Sequence, residues 1–167
     1  MNIRQLQIAH DALQDRLILR VATQEDEEFR LWLTRHFLRE LWPRLLPLLG
    51  KLQPAIVQSP HDAGPNKAPS FDQPFRDEQA TYPLGANPLL ISEIKVDAQD
   101  DGSCHVTFRE GRERSFQLGL TPELLQALCA MLRAAAEQAQ WGLGLDYVAG
   151  SADVASTSPS LPLYRLH

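Results

Sequence analysis

The chain has 167 residues, of which 44% are hydrophobic and 22% charged, and its formal net charge is −5. This length and composition are typical of one globular domain, so we predict a single domain over residues 1–167. The negative charge argues against a generally basic surface for nucleic acid but leaves room for a local basic patch. With no apolar segment typical of a signal peptide or of a membrane span, the leucine- and alanine-rich chain is predicted to be a bacterial, cytoplasmic protein without membrane association.

The first part of the chain predicts three strands. Ile3 to His10 alternates loosely between apolar and polar residues, whereas residues 16–23 and 29–34 alternate clearly. A short charged turn separates the second run from the third, which is the pattern of an antiparallel hairpin. One face of these strands is therefore apolar and predicted to be buried.

A helix is predicted to follow the third strand. Thr34 stands where it should begin, because a threonine hydroxyl can accept an N–H of the first helical turn. Apolar residues then recur at three- and four-residue spacing, which is typical of a helix that packs on a core. Because Pro43 and Pro47 each remove an amide donor, they predict a kink or an early end near Leu41, and Gly50 is a further candidate stop.

Residues 53–88 differ from the rest of the chain. They hold seven prolines together with glycines, serines and asparagines, and they show no helical or strand period. Such a stretch is typical of a linker. We predict that it is proline-rich and disordered, and held in part to the core by Phe71, Phe75 and Tyr82. Residues 143–167 are predicted to form a flexible C-terminal tail.

Residues 89–142 show the same order of elements again. Residues 90–96, 104–109 and 116–120 alternate as strands, with turns between them. Residues 121–123, Thr-Pro-Glu, form a strong helix start, because they combine a capping hydroxyl, a proline that loses no hydrogen bond and an acidic residue near the positive end of the helix dipole. A second unit of three strands and a helix is therefore predicted.

The two units agree at a constant offset of 87 positions. Seven identical pairs share that offset: Phe29/Phe116, Leu31/Leu118, Leu33/Leu120, Thr34/Thr121, Leu38/Leu125, Leu41/Leu128 and Leu45/Leu132. We therefore predict an α+β fold made of two successive βββα units, over residues 1–52 and 89–142, with antiparallel sheet and the helices on one face. We further predict that the units are a pseudo-duplication.

The sequence contains no recognisable catalytic motif. His36 and Glu40 have the i, i+4 spacing of an exposed helix pair, and Cys104 and His105 are neighbours on a strand, so they point to opposite faces and cannot form a dyad. Metal-ligand spacing and phosphate-binding loops are also missing. We predict a non-enzymatic protein without metal or cofactor, with Cys104 and Cys129 as buried thiols in a reducing compartment. An enzyme whose site one sequence does not expose is the alternative.

A predicted binding surface lies on the outer faces of the strands, opposite the apolar residues. It comprises Arg20, Arg30, Trp32, His105, Arg109 and Gln117. Three interpretations are open. The surface can bind a second copy of the chain or another protein, as in a homo-oligomer or adaptor. It can bind single-stranded nucleic acid, with bases stacked on Trp32 and phosphates on the arginines. Or it is covered by the linker or tail of the same chain.

The order of elements resembles that of Whirly, PC4-like and PUR-repeat nucleic-acid-binding proteins, in which successive antiparallel strand sets each end on a helix. The resemblance covers element order only, because those folds use four strands per repeat whereas three are predicted here, and no motif residue matches. What the resemblance implies is single-stranded nucleic acid as an alternative ligand.

Overall fold

A computed structural model describes residues 2–56 and 80–145, and the side chains of 2–51 and 80–145. Its elements are β1 (Ile3–Asp11), β2 (Arg16–Thr23), β3 (Glu28–Leu33), α1 (Arg35–Ile56), β4 (Leu89–Leu90), β5 (Glu93–Ala98), β6 (Cys104–Glu110), β7 (Arg114–Leu120) and α2 (Pro122–Gln138). The predicted α+β class, with a helix after each set of strands, is confirmed. Within these ranges, neither helix is long and apolar enough to cross a membrane.

The strands form two sheets joined by one stretch of chain. The first has the order β1-β2-β3-β4 and the second β5-β6-β7. Neighbours are antiparallel except β3 and β4, which run parallel. The Ile91 amide donates to the Trp32 carbonyl of the first sheet, and the Ser92 amide donates to the Arg109 carbonyl of the second. The chain therefore passes from the first sheet to the second between Ile91 and Ser92.

The core is one cluster that both units share. The alternating apolar residues of the strands are buried in it together with the apolar stripes of both helices. Where the inner faces of the two sheets meet, the Phe29 and Phe116 rings stack with their centroids 4.5 Å apart. α2 packs against β1 of the first unit, and α1 packs against β5 of the second. Each helix thus reaches the first strand of the opposite unit.

The strand register of one unit is repeated in the other. Three pairs across β2 and β3 have counterparts 87 positions later across β6 and β7: Leu17↔Leu33 with Cys104↔Leu120, Leu19↔Leu31 with Val106↔Leu118, and Val21↔Phe29 with Phe108↔Phe116. The buried faces of the two hairpins are therefore built alike. Equal register does not show a common origin, so the pseudo-duplication stays a prediction.

Both helices begin at the predicted threonine. The Thr34 hydroxyl accepts the Phe37 amide at 3.1 Å, and the Thr121 hydroxyl accepts the Leu124 amide at 3.4 Å. In α2, Pro122 takes the first helical position, where no hydrogen bond is lost. These caps fix the two points at which the chain leaves a sheet and enters a helix.

The predicted early end of the first helix is wrong. α1 passes Leu41 and Gly50 and ends at Ile56, so it also extends beyond the predicted unit boundary at residue 52. Pro43 and Pro47 lie on the exposed side of α1. Carbonyl groups that lose their amide partners there can be hydrated, while the buried stripe on the opposite side holds the helix on the core.

Most of the predicted linker, and all of the predicted tail beyond residue 145, lie outside the described residues. The predicted anchors Phe71 and Phe75 fall there too. Where the described chain resumes, Thr81 forms a parallel bridge with Glu27 at the edge of the first sheet. Tyr82 then lies over the outer face of that sheet.

Candidate partner-binding surface

The predicted surface residues form two groups. Arg20 and Arg30 are directly opposed on β2 and β3, and Trp32 follows on the same face of β3. The other three, His105, Arg109 and Gln117, lie on β6 and β7 of the second sheet. The structure therefore brings the first three together and places the rest on a different sheet.

A buried carboxylate that the sequence analysis did not single out connects the two arginines. Glu28 is 1% exposed, and its Oε1 accepts hydrogen bonds from Arg20 Nε at 2.8 Å and from Arg30 Nε at 2.6 Å. The geometry follows from the strands, because residues two apart share a face and Arg20 faces Arg30 across the ladder. The alternation of Glu28 with Arg30 was the available signal. Glu28 follows a run of acidic turn residues, which hides this signal in the sequence.

Tyr82 completes this arrangement, which we call the arginine–glutamate cluster: Arg20, Glu28, Arg30 and Tyr82. Arg30 Nη2 donates to the Tyr82 hydroxyl at 2.8 Å, and the guanidinium lies 4.6 Å from the centroid of the ring. A guanidinium this close to an aromatic face gains a cation–π interaction. Arg30 is therefore held by a carboxylate, a hydroxyl and a ring, in one orientation.

Two opposing effects, its burial and its contacts with the two arginines, act on the pKa of Glu28. Burial by itself would raise the pKa of Glu28, but the hydrogen bonds and positive charges of Arg20 and Arg30 outweigh it, so the pKa lies below its ordinary value. Glu28 Oε2 has no hydrogen-bond partner among the described atoms. Glu28 is thus ionised near neutral pH. Its carboxylate is held by the hydrogen bonds from Arg20 and Arg30.

An apolar row lies next to the cluster. Ala9, Ile18 and Trp32 are neighbours across β1, β2 and β3 on the outer face, and all three are half-buried. The side chains of Arg20 and Arg30 are only 16% and 25% exposed. Tyr82, from the end of the predicted linker, lies against Arg30. Together the row and the cluster form what we call the first-sheet face.

The outer face of the second sheet has a different character. His105, Arg109 and Gln117 are all exposed there, and Gly119 stands where the first unit has Trp32. Lys95 and Asp97 pair at 2.9 Å on this sheet, so positive and negative charges are mixed. Within the part of the chain that the structure describes, this face carries neither a large aromatic side chain nor a buried charge pair.

A second polar contact unforeseen from the sequence joins the two ends of the described chain. Asp15 Oδ1 accepts the Trp141 indole N–H at 2.7 Å and lies 3.2 Å from His10 Nε2. The Trp141 bond first, and the His10 contact second, hold the pKa of Asp15 below its ordinary value. The residues are 126 positions apart, so no local pattern could predict the contact. It ties the β1–β2 hairpin to the segment after α2.

The two cysteines are buried, as predicted. Burial, with a smaller contribution from the nearby Cys104, raises the pKa of Cys129 to about 12, and burial also raises the pKa of Cys104. No group of three potential metal ligands exists within residues 2–56 and 80–145.

We therefore expect the thiols of the folded chain to be nearly inert, since the thiolate is the reactive form. At pH 8 a thiol with a pKa of about 12 is ionised in roughly one molecule in ten thousand. Treatment with Ellman's reagent should give slow colour release in buffer and rapid release of two equivalents in guanidinium chloride. Fast labelling of the native chain would contradict the buried placement.

Comparison of the chain with protein-family models, curated proteins and solved structures found no match to any of them. The resemblance noted for the nucleic-acid-binding families therefore stays a likeness of element order.

Proposed function

We propose that the chain is a non-enzymatic protein that binds another protein, either a second copy of itself or a different chain, through the first-sheet face. The observation that supports this most is the fixed position of Arg30 between Glu28 and Tyr82, next to Trp32 and Ile18. Tryptophan, tyrosine and arginine are the residues that most often dominate the free energy of protein interfaces. Here all three lie side by side.

The cluster also lowers the cost of covering this face. A free guanidinium loses hydration when a partner covers it, but Arg20 and Arg30 already share the Glu28 carboxylate in a half-buried setting. Because Arg30 is fixed before binding, less side-chain entropy is lost on association. A rigid, partly apolar surface of this kind suits a protein partner.

The same features disfavour single-stranded nucleic acid, which remains the alternative. Phosphate binding relies on cations that exchange counterions for phosphate oxygens. The positive charges on the first-sheet face are already opposed by Glu28, and Arg109 lies on the other sheet, where acidic residues accompany it. Trp32 could stack a base, but the neighbouring Arg20 and Arg30 already bond to the Glu28 carboxylate.

The proposal is tested with Trp32→Glu, which places a charge in the apolar row of the first-sheet face. Gln99→Glu is the matched control, because it adds the same charge at an exposed position of the turn between β5 and β6. Sedimentation velocity measures self-association, and titration with a purified partner, first captured from the cells that make the chain, measures binding to another protein. We expect Trp32→Glu to weaken the interaction at least about 100-fold and the control to leave it unchanged. Equal binding by the two variants would refute the proposal.

The alternative has its own measurement. Labelled single-stranded DNA is titrated with the chain at low and moderate salt. A salt-sensitive mobility shift that is lost in Trp32→Ala would favour nucleic acid as the ligand. Unchanged mobility at micromolar chain is the result we expect.

A further inference from the structure

Within the described residues, the outer edge of strand β7 has no neighbouring strand, whereas the outer edge of β3, its counterpart in the first unit, is paired. In the first sheet the outer edge of β3 is occupied: the Glu28 amide donates to the Thr81 carbonyl at 2.8 Å, and the Trp32 carbonyl accepts the Ile91 amide at 3.1 Å. In the second sheet β7 is the last strand, with β6 as its sheet neighbour. In the described part of the chain, the outer edge of β3 is therefore paired and the outer edge of β7 is not.

The direction of the backbone groups on β7 follows from the shared register. Glu28 and Trp32 point their backbone groups away from β2, and an offset of 87 makes Ser115 and Gly119 their equivalents. Alternation adds Gln117, so these three residues present their N–H and C=O groups away from β6. All three are exposed, and the described chain supplies no backbone partner to any of them.

β7 also lacks the usual protection of an edge strand. Natural edges are shielded by proline, lysine, bulges or short length, because unpaired backbone groups invite another strand. β7 is seven residues long and contains neither proline nor lysine. Its one charged residue, Arg114, is bonded to Glu110 at 2.6 Å and to the Leu84 carbonyl at 2.9 Å. Its guanidinium is therefore engaged beside the strand and does not guard the edge.

We propose that β7 pairs antiparallel with β7 of a second copy, about a two-fold axis at Gln117, so that the second sheets of two chains become one. The sequence is self-complementary about that point. On the outer face Gln117 meets Gln117 of the other copy, and Ser115 meets Gly119, so no like charges or bulky groups oppose each other. On the inner face Phe116 comes opposite Leu118. This interface is separate from the first-sheet face and goes beyond the function proposed for it.

The pairing is expected to be reversible. Three directly opposed pairs supply about six backbone hydrogen bonds, and an edge contact of this length falls in the size class of weak interfaces. A dissociation constant in the micromolar range is therefore expected. Self-association should become visible as the concentration is raised from roughly 1 µM to 1 mM.

Cross-linking tests the register directly. In Gln117→Cys the two thiols would face each other on α-carbons about 5.5 Å apart, within the range of a disulfide. Oxidised glutathione accepts the two electrons and two protons as the disulfide forms. Cys104 and Cys129 are buried and do not compete. Ser115→Cys is the matched control, because the same axis separates its two copies by about 14 Å. We expect a covalent dimer for Gln117→Cys and none for Ser115→Cys alone.

A backbone variant gives an independent readout. Gln117→Pro removes an N–H that points away from β6 and so breaks no bond within the chain, whereas Gln117→Thr keeps it. Sedimentation should show that Gln117→Pro raises the dissociation constant of the dimer at least about tenfold and that Gln117→Thr leaves it unchanged. A monomer throughout the concentration range would overturn the inference. So would equal cross-linking of both cysteine variants, or an exchange-protected Gln117 amide in a monomer, which would mean that the chain fills its own edge.

The outcome is separable from that of the proposed function. Trp32→Glu changes the first-sheet face and should leave the Gln117→Cys cross-link intact. If Trp32→Glu abolishes self-association while Gln117→Pro does not, the two copies meet through the first-sheet face and the β7 pairing is wrong.

Discussion

Replacing Phe116 with alanine is expected to lower the free energy of unfolding by about 3–5 kcal/mol. The ring is 4% exposed, stacks on Phe29 at 4.5 Å and lies 6.5 Å from Phe108. It sits where the inner faces of the two sheets meet, so its loss leaves a cavity between the units that neither sheet can close alone. The measurement is urea denaturation followed by circular dichroism, compared with the wild type.

Gln117→Ala is the control for this variant, because it removes a neighbouring but exposed side chain and should change stability by no more than about 0.5 kcal/mol. A double-mutant cycle with Phe29→Ala then isolates the stacked pair, for which a coupling of about 0.5–1.5 kcal/mol is expected. A loss below about 1 kcal/mol for Phe116→Ala would show that the units do not meet at these rings.

Glu28→Gln is expected to cost about 2–4 kcal/mol at neutral pH. The amide keeps the shape of the carboxylate but leaves Arg20 and Arg30 half-buried and facing each other without the charge that both now share. The loss should be smaller than for a fully buried ion pair, because both guanidiniums retain some contact with water. Glu25→Gln, in the exposed turn before β3, is the matched control and should be close to neutral.

The cost should also depend on pH. The pKa of Glu28 in the folded chain is lower than its ordinary value of 4.5, so the ionised group stabilises the folded state above that value. The stability is lost as the pH falls through the lowered pKa. The difference between wild type and Glu28→Gln should therefore be constant from pH 8 to about pH 5 and shrink on further acidification. A difference independent of pH down to pH 3 would contradict the charge-based explanation.

Features set by neighbouring residues were predictable from the sequence. Alternation identified the buried faces of β2, β3, β6 and β7, and the capping threonines marked where both helices begin. The end of α1 was not predictable in the same way, because the local cost of two prolines is outweighed by an apolar stripe that packs along the helix. Tertiary packing decides such a boundary, and no local pattern reports it.

The candidate surface was predictable in part for the same reason. Alternation placed Arg20, Arg30 and Trp32 on one face, but treated the outer faces of both sheets as one surface. The role of Glu28 was not predictable, because this residue follows a run of acidic turn residues and its partner Arg20 lies on the neighbouring strand β2. Tyr82 contacts Arg30 across 52 positions. Contacts of that separation are fixed by the path of the chain and cannot be found from spacing in one sequence.

The placement of each helix against the first strand of the opposite unit has a consequence for synthesis on the ribosome. When β1, β2, β3 and α1 have emerged, α2, which packs against β1, has not yet been made. The first unit therefore exposes part of its apolar face until α2 has emerged, and stable structure should appear late and in one step. A nascent chain stalled after α1 should accordingly be digested completely by protease, and one stalled with the sequence to residue 145 outside the exit tunnel should yield protease-resistant fragments that contain the strands and helices of both units.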